Sequence, residues 1–209
     1  MSQFSELYKK YYKDRGDERL GLFQLVAKQF DVQRAMYAGS YVHVTPSFVI
    51  PEMVYVDSDK KAKKVFVEMA PILEFIENKK EYQESPRVTF YGASYTSDFG
   101  EDDKSVDLLI SQYAGFISQA CKRYLKIGGI LLVNNSHGDA SMAYLDDNYE
   151  LIGAINQRNG HCRLVTENLA SYFIPKKKDL DITKAYLEKH QRGIGYTKSA
   201  SVYLFERIK

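Results

Sequence analysis

The stretch VDLLISQYAGFISQACKRYLKIGGILLVNNSHGD, residues 106–139, carries two short apolar runs on either side of a segment with helical spacing. Val106 to Ser111 and Ile130 to Val133 are too short for helices and mostly apolar, as strands buried on both faces are. Between them, the segment from Gln112 to Lys126 places Phe116, Ile117, Ala120, Cys121, Tyr124 and Leu125 on one helix face. Gly128-Gly129 reads as its C-terminal stop. Strand, helix and strand in that order form a crossover unit, which joins parallel strands with a right-handed turn.

The same alternation extends in both directions. Upstream, Arg34 to Gly39, Met53 to Asp57 and Arg87 to Gly92 read as strands. Ala62, Val65, Phe66, Met69, Leu73 and Ile76 follow the second at helical spacing, with Pro71 expected to kink or divide that helix. Thr45-Pro46 reads as an N-cap with proline at the first helical position, opening a helix that Pro51 keeps short. Downstream, Met142, Leu145, Tyr149, Ile152 and Ile155 suggest a helix from about Ala140 to Ile155. Cys162 to Val165 and Ser201 to Phe205 close the chain as strands, with a helical pattern from about Ile182 to His190 between them. The expected fold is α/β: a Rossmann-like, doubly wound sheet of seven strands, mostly parallel, with an antiparallel last strand. Residues 1–33 read as an N-terminal helical extension or lid, with Tyr8, Tyr11 and Tyr12 on one face and, after Gly16-Asp17, Leu20, Phe23, Val26, Ala27 and Phe30 on another. Residues 34–209 form the main domain.

Composition narrows the function. The chain has 209 residues, with 29 basic and 27 acidic side chains and a formal net charge of +2. Such a balance supplies no field to draw in nucleic acid or anionic lipid. The apolar share is 44%, ordinary for a globular domain. Cys121 and Cys162 form no C-x-x-C pair, and four scattered histidines make no metal cluster, so no metal is expected. The opening Met-Ser-Gln-Phe-Ser-Glu has no signal-peptide character, and no apolar stretch is long enough for a membrane span. The expected location is the cytoplasm. The sequence leaves open whether the chain forms a homodimer.

Ligands of doubly wound sheets bind beyond the carboxyl ends of the strands. Asp57 ends the second strand, where a carboxylate can accept hydrogen bonds from both hydroxyls of a ribose. It could instead cap the following helix, a role Ser58 and Asp59 can also fill. Gly39 permits close backbone approach, or simply turns the chain. The G-x-G-x-x-G and P-loop patterns are absent.

The order of these segments resembles the class I S-adenosylmethionine-dependent methyltransferases over roughly residues 34–207. "VDLLIS", the following helix and "YLKIGGILLVN" are similar to that family's fourth strand, next helix and fifth strand, "VYVDSDKKA" to its second strand, and "SVYLFER" to its last. The resemblance implies methyl transfer from S-adenosylmethionine. It places Gly39, Ser40 and Tyr41 near the methionine end of the cofactor, Asp57 and Ser58 at the ribose, Ala93 and Ser94 at the adenine, and Ser111 and Gln112 near the methyl. Tyr91 or Tyr95 could stack on the adenine. The first loop, "YAGSYVHVTPSFVIP", departs from the family's acid-x-G-x-G form. "SQYAG" after the fourth strand differs from the Asn/Asp-Pro-Pro-Tyr of many nucleic-acid methyltransferases, which argues against base methylation and fits small-molecule or protein methyltransferases; a small-molecule acceptor is the expectation. The degenerate first loop also fits a non-catalytic binding module built on the same scaffold.

His137, in "NNSHGD", is the candidate general base, with Asp139 expected to orient it; otherwise Asp139 is an N-cap and His137 a loop residue. His43 is a candidate cofactor or substrate contact. His161 and His190 read as turn and helix-end residues. Lys176-Lys177-Lys178 is a solvated charge run or a phosphate contact.

Overall fold

In a computed structural model, residues 3–15, 19–158, 160–177 and 180–209 are described. Gly16, Asp17 and Lys178, which figure in the sequence reading, lie outside them. The chain divides into two compact units, Met1–Gly100 and Glu101–Lys209.

The first unit carries helices α1 (Gln3–Tyr11) and α2 (Leu20–Phe30), strands β1 (Arg34–Ala38) and β2 (Glu52–Val56), helices α3 (Lys60–Phe66) and α4 (Met69–Glu77), and strand β3 (Arg87–Tyr91). The three strands are parallel, with β2 in the middle. Ala35 to Ala38 and Met53 to Val56 are buried on both faces. Arg34, Glu52 and Arg87 stand side by side at the strand starts. Arg34 Nε lies 2.6 Å from the Glu52 carboxylate, which Arg87 also engages. Burial opposes ionisation of Glu52, but these guanidinium bonds and charges hold its carboxyl below its ordinary value. At the other end, Ala38, Val56 and Tyr91 are in register. Gly39 N donates to Val56 O and Asp57 N to Tyr91 O, carrying the ladder one step further. Gly39, Asp57 and Gly92 therefore leave the strands at one level.

The N-terminal helix is fixed by aromatic packing. Phe4 and Tyr8 are buried and meet the Phe75 ring edge-on at 5.2 and 4.8 Å. The Tyr8 hydroxyl and Thr45 Oγ1 are 2.8 Å apart. Thr45 thus opens the expected short helix, a 3-10 turn over Thr45–Phe48, but its hydroxyl bonds Tyr8 instead of capping the turn. The helix predicted across Pro71 divides ahead of it, and Pro71 falls in the first turn of α4, where a missing N–H costs nothing.

The second unit carries strand β4 (Val106–Ser111), helix α5 (Ile117–Ala120), strand β5 (Leu125–Val133), helix α6 (Asp139–Tyr144), strands β6 (Tyr149–Arg158) and β7 (His161–Val165), helix α7 (Lys184–His190) and strand β8 (Val202–Arg207). Its strands run β4-β5-β8-β6-β7, with β4 and β5 parallel and the remaining pairs antiparallel.

Two sequence expectations are corrected here. The described residues hold eight strands, not seven. The extra strand is β6, where a helix was expected to continue from Ala140. The helix ends at Tyr144, and Asp146 turns the chain, its carboxylate accepting from Asn148 N at 3.1 Å and Lys122 Nζ at 2.7 Å. Those partners outweigh burial and hold Asp146 far below the usual carboxylate range. Tyr149 onward then pairs with β7 on one side and β8 on the other, so tertiary pairing overrides the helical spacing. The helix expected from Gln112 to Lys126 is likewise reduced to α5 and a 3-10 turn over Lys122–Tyr124. Gly128-Gly129, read as its stop, lies inside β5 at a register shift against β4. Ile117, Cys121, Tyr124 and Leu125 are buried as expected, but along a segmented path. Among the described residues, no helix is long and apolar enough to cross a membrane.

Candidate functional site

In the first unit, the candidate residues collect where β1, β2 and β3 end. Gly39 has φ +68° and turns the chain there. Ser40 is buried, and Tyr41 takes a left-handed conformation at φ +51°. For a residue with a side chain this costs about 1 kcal/mol or more. Its amide donates to Asp57 Oδ2 at 2.6 Å, while Asp57 Oδ1 accepts from Asp59 N at 2.7 Å. Asp59 is the cap of α3, accepting from Lys61 N and Ala62 N. Asp57 is therefore released from capping and ties the β1 loop to the end of β2. A carboxylate offers about four acceptor positions, so Asp57 can still receive a diol.

Ser58 and Ser94 are exposed, and Ala93 N donates to Tyr91 O in a tight turn. Ser94 Oγ lies 2.8 Å from Thr96 Oγ1. The Tyr91 ring packs on Phe99 at 4.9 Å. His43 is in the unit's core, stacked on Tyr12 at 4.3 Å, with Nδ1 3.3 Å from the Tyr37 hydroxyl. It packs rather than facing out from the strand ends. Tyr11 meets Tyr41 edge-on at 5.7 Å, which places one exposed face of α1 on the β1 loop. Burial, with Tyr11, Asp59 and Asp57 nearby, pushes the Tyr41 hydroxyl above its ordinary value.

In the second unit, Ser111 and Gln112 follow β4 and have different surroundings. The Ser111 hydroxyl donates to Asp139 Oδ2 at 2.5 Å, and Asp139 also accepts from Ser118 Oγ at 2.5 Å and Ser118 N at 3.1 Å. Burial raises the Asp139 carboxyl to about 6 against these bonds. Gln112 is only 2% exposed, yet neither Nε2 nor Oε1 has a partner among the described residues. Leaving a buried polar group unpaired costs about 1–3 kcal/mol. Tyr113, next in the chain, is left-handed at φ +62° and 61% exposed.

His137 is half-buried on the loop after β5. Its expected orienter is corrected: Asp139 is spent on Ser111 and Ser118, and His137 Nδ1 instead lies 3.0 Å from Ser136 Oγ. Ser136 donates its one hydroxyl proton to Asn134 Oδ1 at 2.8 Å. Asn134 Oδ1 also receives Ser136 N at 3.2 Å and Tyr113 N at 3.4 Å, which identifies that atom as the carbonyl oxygen. Ser136 Oγ must then accept from Nδ1–H, and Nε2 of neutral His137 carries the lone pair. Asn134, which holds this loop, was passed over by sequence reasoning; its one signal was a small polar side chain closing an apolar strand. Asn135 Oδ1 holds the next turn through Ser141 N and Oγ at 3.2 and 3.0 Å. Among the described residues, no group of three or more His, Cys, Asp or Glu could hold a metal ion.

No protein-family model matches the sequence, and no curated protein sequence matches it. Solved structures do resemble it. They include a methyltransferase from Geobacter sulfurreducens at 13% identity, covering 78% of this chain and 88% of that one, with a TM-score of 0.49. An S-adenosylmethionine-dependent O-methyltransferase from Thermotoga maritima is 13% identical, with 90% and 64% covered and a TM-score of 0.47. The YcgJ protein of Bacillus subtilis is 19% identical over 59% of this chain, with a TM-score of 0.40, and the match spans 54% of its length.

Proposed function

We propose that the chain is an S-adenosylmethionine-dependent methyltransferase acting on a small-molecule acceptor in the cytoplasm. The observation that carries the reading is Gln112: a buried carboxamide with two unpaired polar atoms, at the strand end where the resemblance places the methyl-transfer centre. A ligand bearing both a donor and an acceptor would satisfy it. Asp57 fits the ribose diol, because both of its oxygens are fixed by backbone amides and keep spare acceptor capacity. Gly39, Ser40 and Tyr41 form the turn that Asp57 holds. Ser58, Ala93 and Ser94 are assigned by position to the outer part of the cofactor. S-adenosylmethionine, when bound, supplies an electrophilic methyl group on a sulfonium.

The chain's own contribution is binding, orientation and one proton acceptor. Ser111 holds Asp139 and so fixes the start of the loop that carries Gln112. His137 Nε2 takes the proton that a hydroxyl acceptor loses, with its tautomer set through Ser136 and Asn134. Positioning contributes the larger part of such a displacement.

The second reading, a non-catalytic binding module, is favoured by the β1 loop, where Val42 to Phe48 are buried and Gly39 is the one glycine. Calorimetric titration of the full chain with S-adenosylmethionine and S-adenosylhomocysteine separates the two. Binding of both supports the methyltransferase; no heat from either, in folded protein, removes it.

A further inference from the structure

A cavity of about 410 Å³ lies in the second unit. It is lined by Lys176, Lys177, Leu180, Tyr186, His190 and Arg192 together with Gly193 to Gly195. Among the described residues, no carboxylate lines it. Among the described residues, none of Lys176, Lys177 and Arg192 forms an ion pair, although the chain as a whole carries only +2. Three like charges around one concavity repel each other unless an anion sits between them. One wall is aromatic: Tyr186 and His190 stack at 4.1 Å, and His190 Nδ1 donates to Tyr186 O at 2.8 Å.

This cavity is fastened to the loop that carries His137. Gly193 N donates to Ser136 O at 3.2 Å. A Cβ on Gly193 would fall 2.0 Å from Asn135 O, so only glycine permits this approach. Arg192 O also approaches Gly138, where a Cβ would come within 3.1 Å of it. The segment that presents Arg192 to the cavity is thus pressed against the loop presenting His137. Cationic side chains, an aromatic wall and backbone from two glycines suit a phosphate group attached to a flat or cyclic body.

We infer that this cavity binds the phosphate of the acceptor, making the substrate class a phosphate-bearing small molecule. The assignment to the acceptor rests on the methyltransferase reading; the phosphate site itself does not. The experiment is calorimetric titration of the full chain with inorganic pyrophosphate, and with citrate as a carboxylate of comparable charge, without S-adenosylmethionine. Pyrophosphate is expected to bind, more tightly than citrate, and to weaken about tenfold as salt rises from low to physiological levels. The Lys176→Ala/Arg192→Ala double variant, altered at two exposed positions, is expected to lose at least about tenfold of that affinity with its thermal melting unchanged. Absence of pyrophosphate binding, equal binding of citrate, or unchanged affinity in the double variant would overturn the site. If pyrophosphate binds as expected while S-adenosylhomocysteine does not bind the wild type, the phosphate site stands and its assignment to a methyl acceptor falls.

Discussion

Tyr41 follows β1 and Tyr113 follows β4, and both adopt the left-handed conformation that tyrosine rarely takes. Each amide is held by the residue ending the neighbouring strand: Asp57 Oδ2 at 2.6 Å in the first unit, Asn134 Oδ1 at 3.4 Å in the second. The backbone device is the same, but what surrounds it differs. In the first unit a carboxylate is fixed by two backbone amides. In the second, the anchor is a neutral amide whose oxygen also sets the His137 tautomer, and the residue before Tyr113 is left with two unpaired buried atoms. Asp57 holds its own loop with one amide bond to each oxygen and keeps spare acceptor positions. In the second unit, both polar atoms of the buried Gln112 carboxamide are left unpaired among the described residues.

The comparison can be broken most sharply at its two acids. Asp139, buried in the second unit, has its carboxyl raised from 3.8 to about 6. The folded state therefore keeps a proton that the unfolded chain releases, so this group's contribution to stability falls as pH rises from about 4 to about 6. The size is about 3 kcal/mol. Asp139→Asn is expected to remove that slope, read by urea denaturation at pH 4.5 and pH 7; an unchanged slope would show that Asp139 is not its source. Asp57→Ala in the first unit strips an acceptor from two backbone amides and is expected to cost about 2 kcal/mol in the same assay. A loss below about 0.5 kcal/mol would mean that the β1 loop does not depend on it. The smallest effect separates the two tyrosines. Tyr41→Gly relieves the backbone but gives up the Tyr11 contact, for a net loss of about 1 kcal/mol. Tyr113→Gly, at an exposed ring, is expected to be neutral or stabilising by up to about 1 kcal/mol. Equal losses at both sites would erase the contrast between the rings.

Much of the first unit was legible in the sequence because its signals are local. Ala35 to Ala38 and Met53 to Val56 are short apolar runs, Asp59 sits where a cap belongs, and Pro71 lies where a helical stretch divides. The second unit was harder to read because tertiary pairing decides it. Tyr149, Ile152 and Ile155 have helical spacing, and their place in a strand depends on partners in β7 and β8 that lie later in the chain. The candidate site divides along the same line. Asp57 and Gln112 could be placed by their positions after strands. That Asp57 holds Tyr41, that Ser111 serves Asp139, and that Gly193 must be small to pass Asn135 are contacts between distant residues with no local signature.

The central claim is that Gln112 is kept unpaired for a ligand. Gln112→Leu, nearly equal in volume, tests it through two opposed readouts. Removing an unsatisfied buried amide is expected to raise folding stability by about 1 kcal/mol, while affinity for S-adenosylhomocysteine by calorimetry falls at least about tenfold. A variant that binds S-adenosylhomocysteine as tightly as the wild type would contradict the claim, whatever happens to its stability.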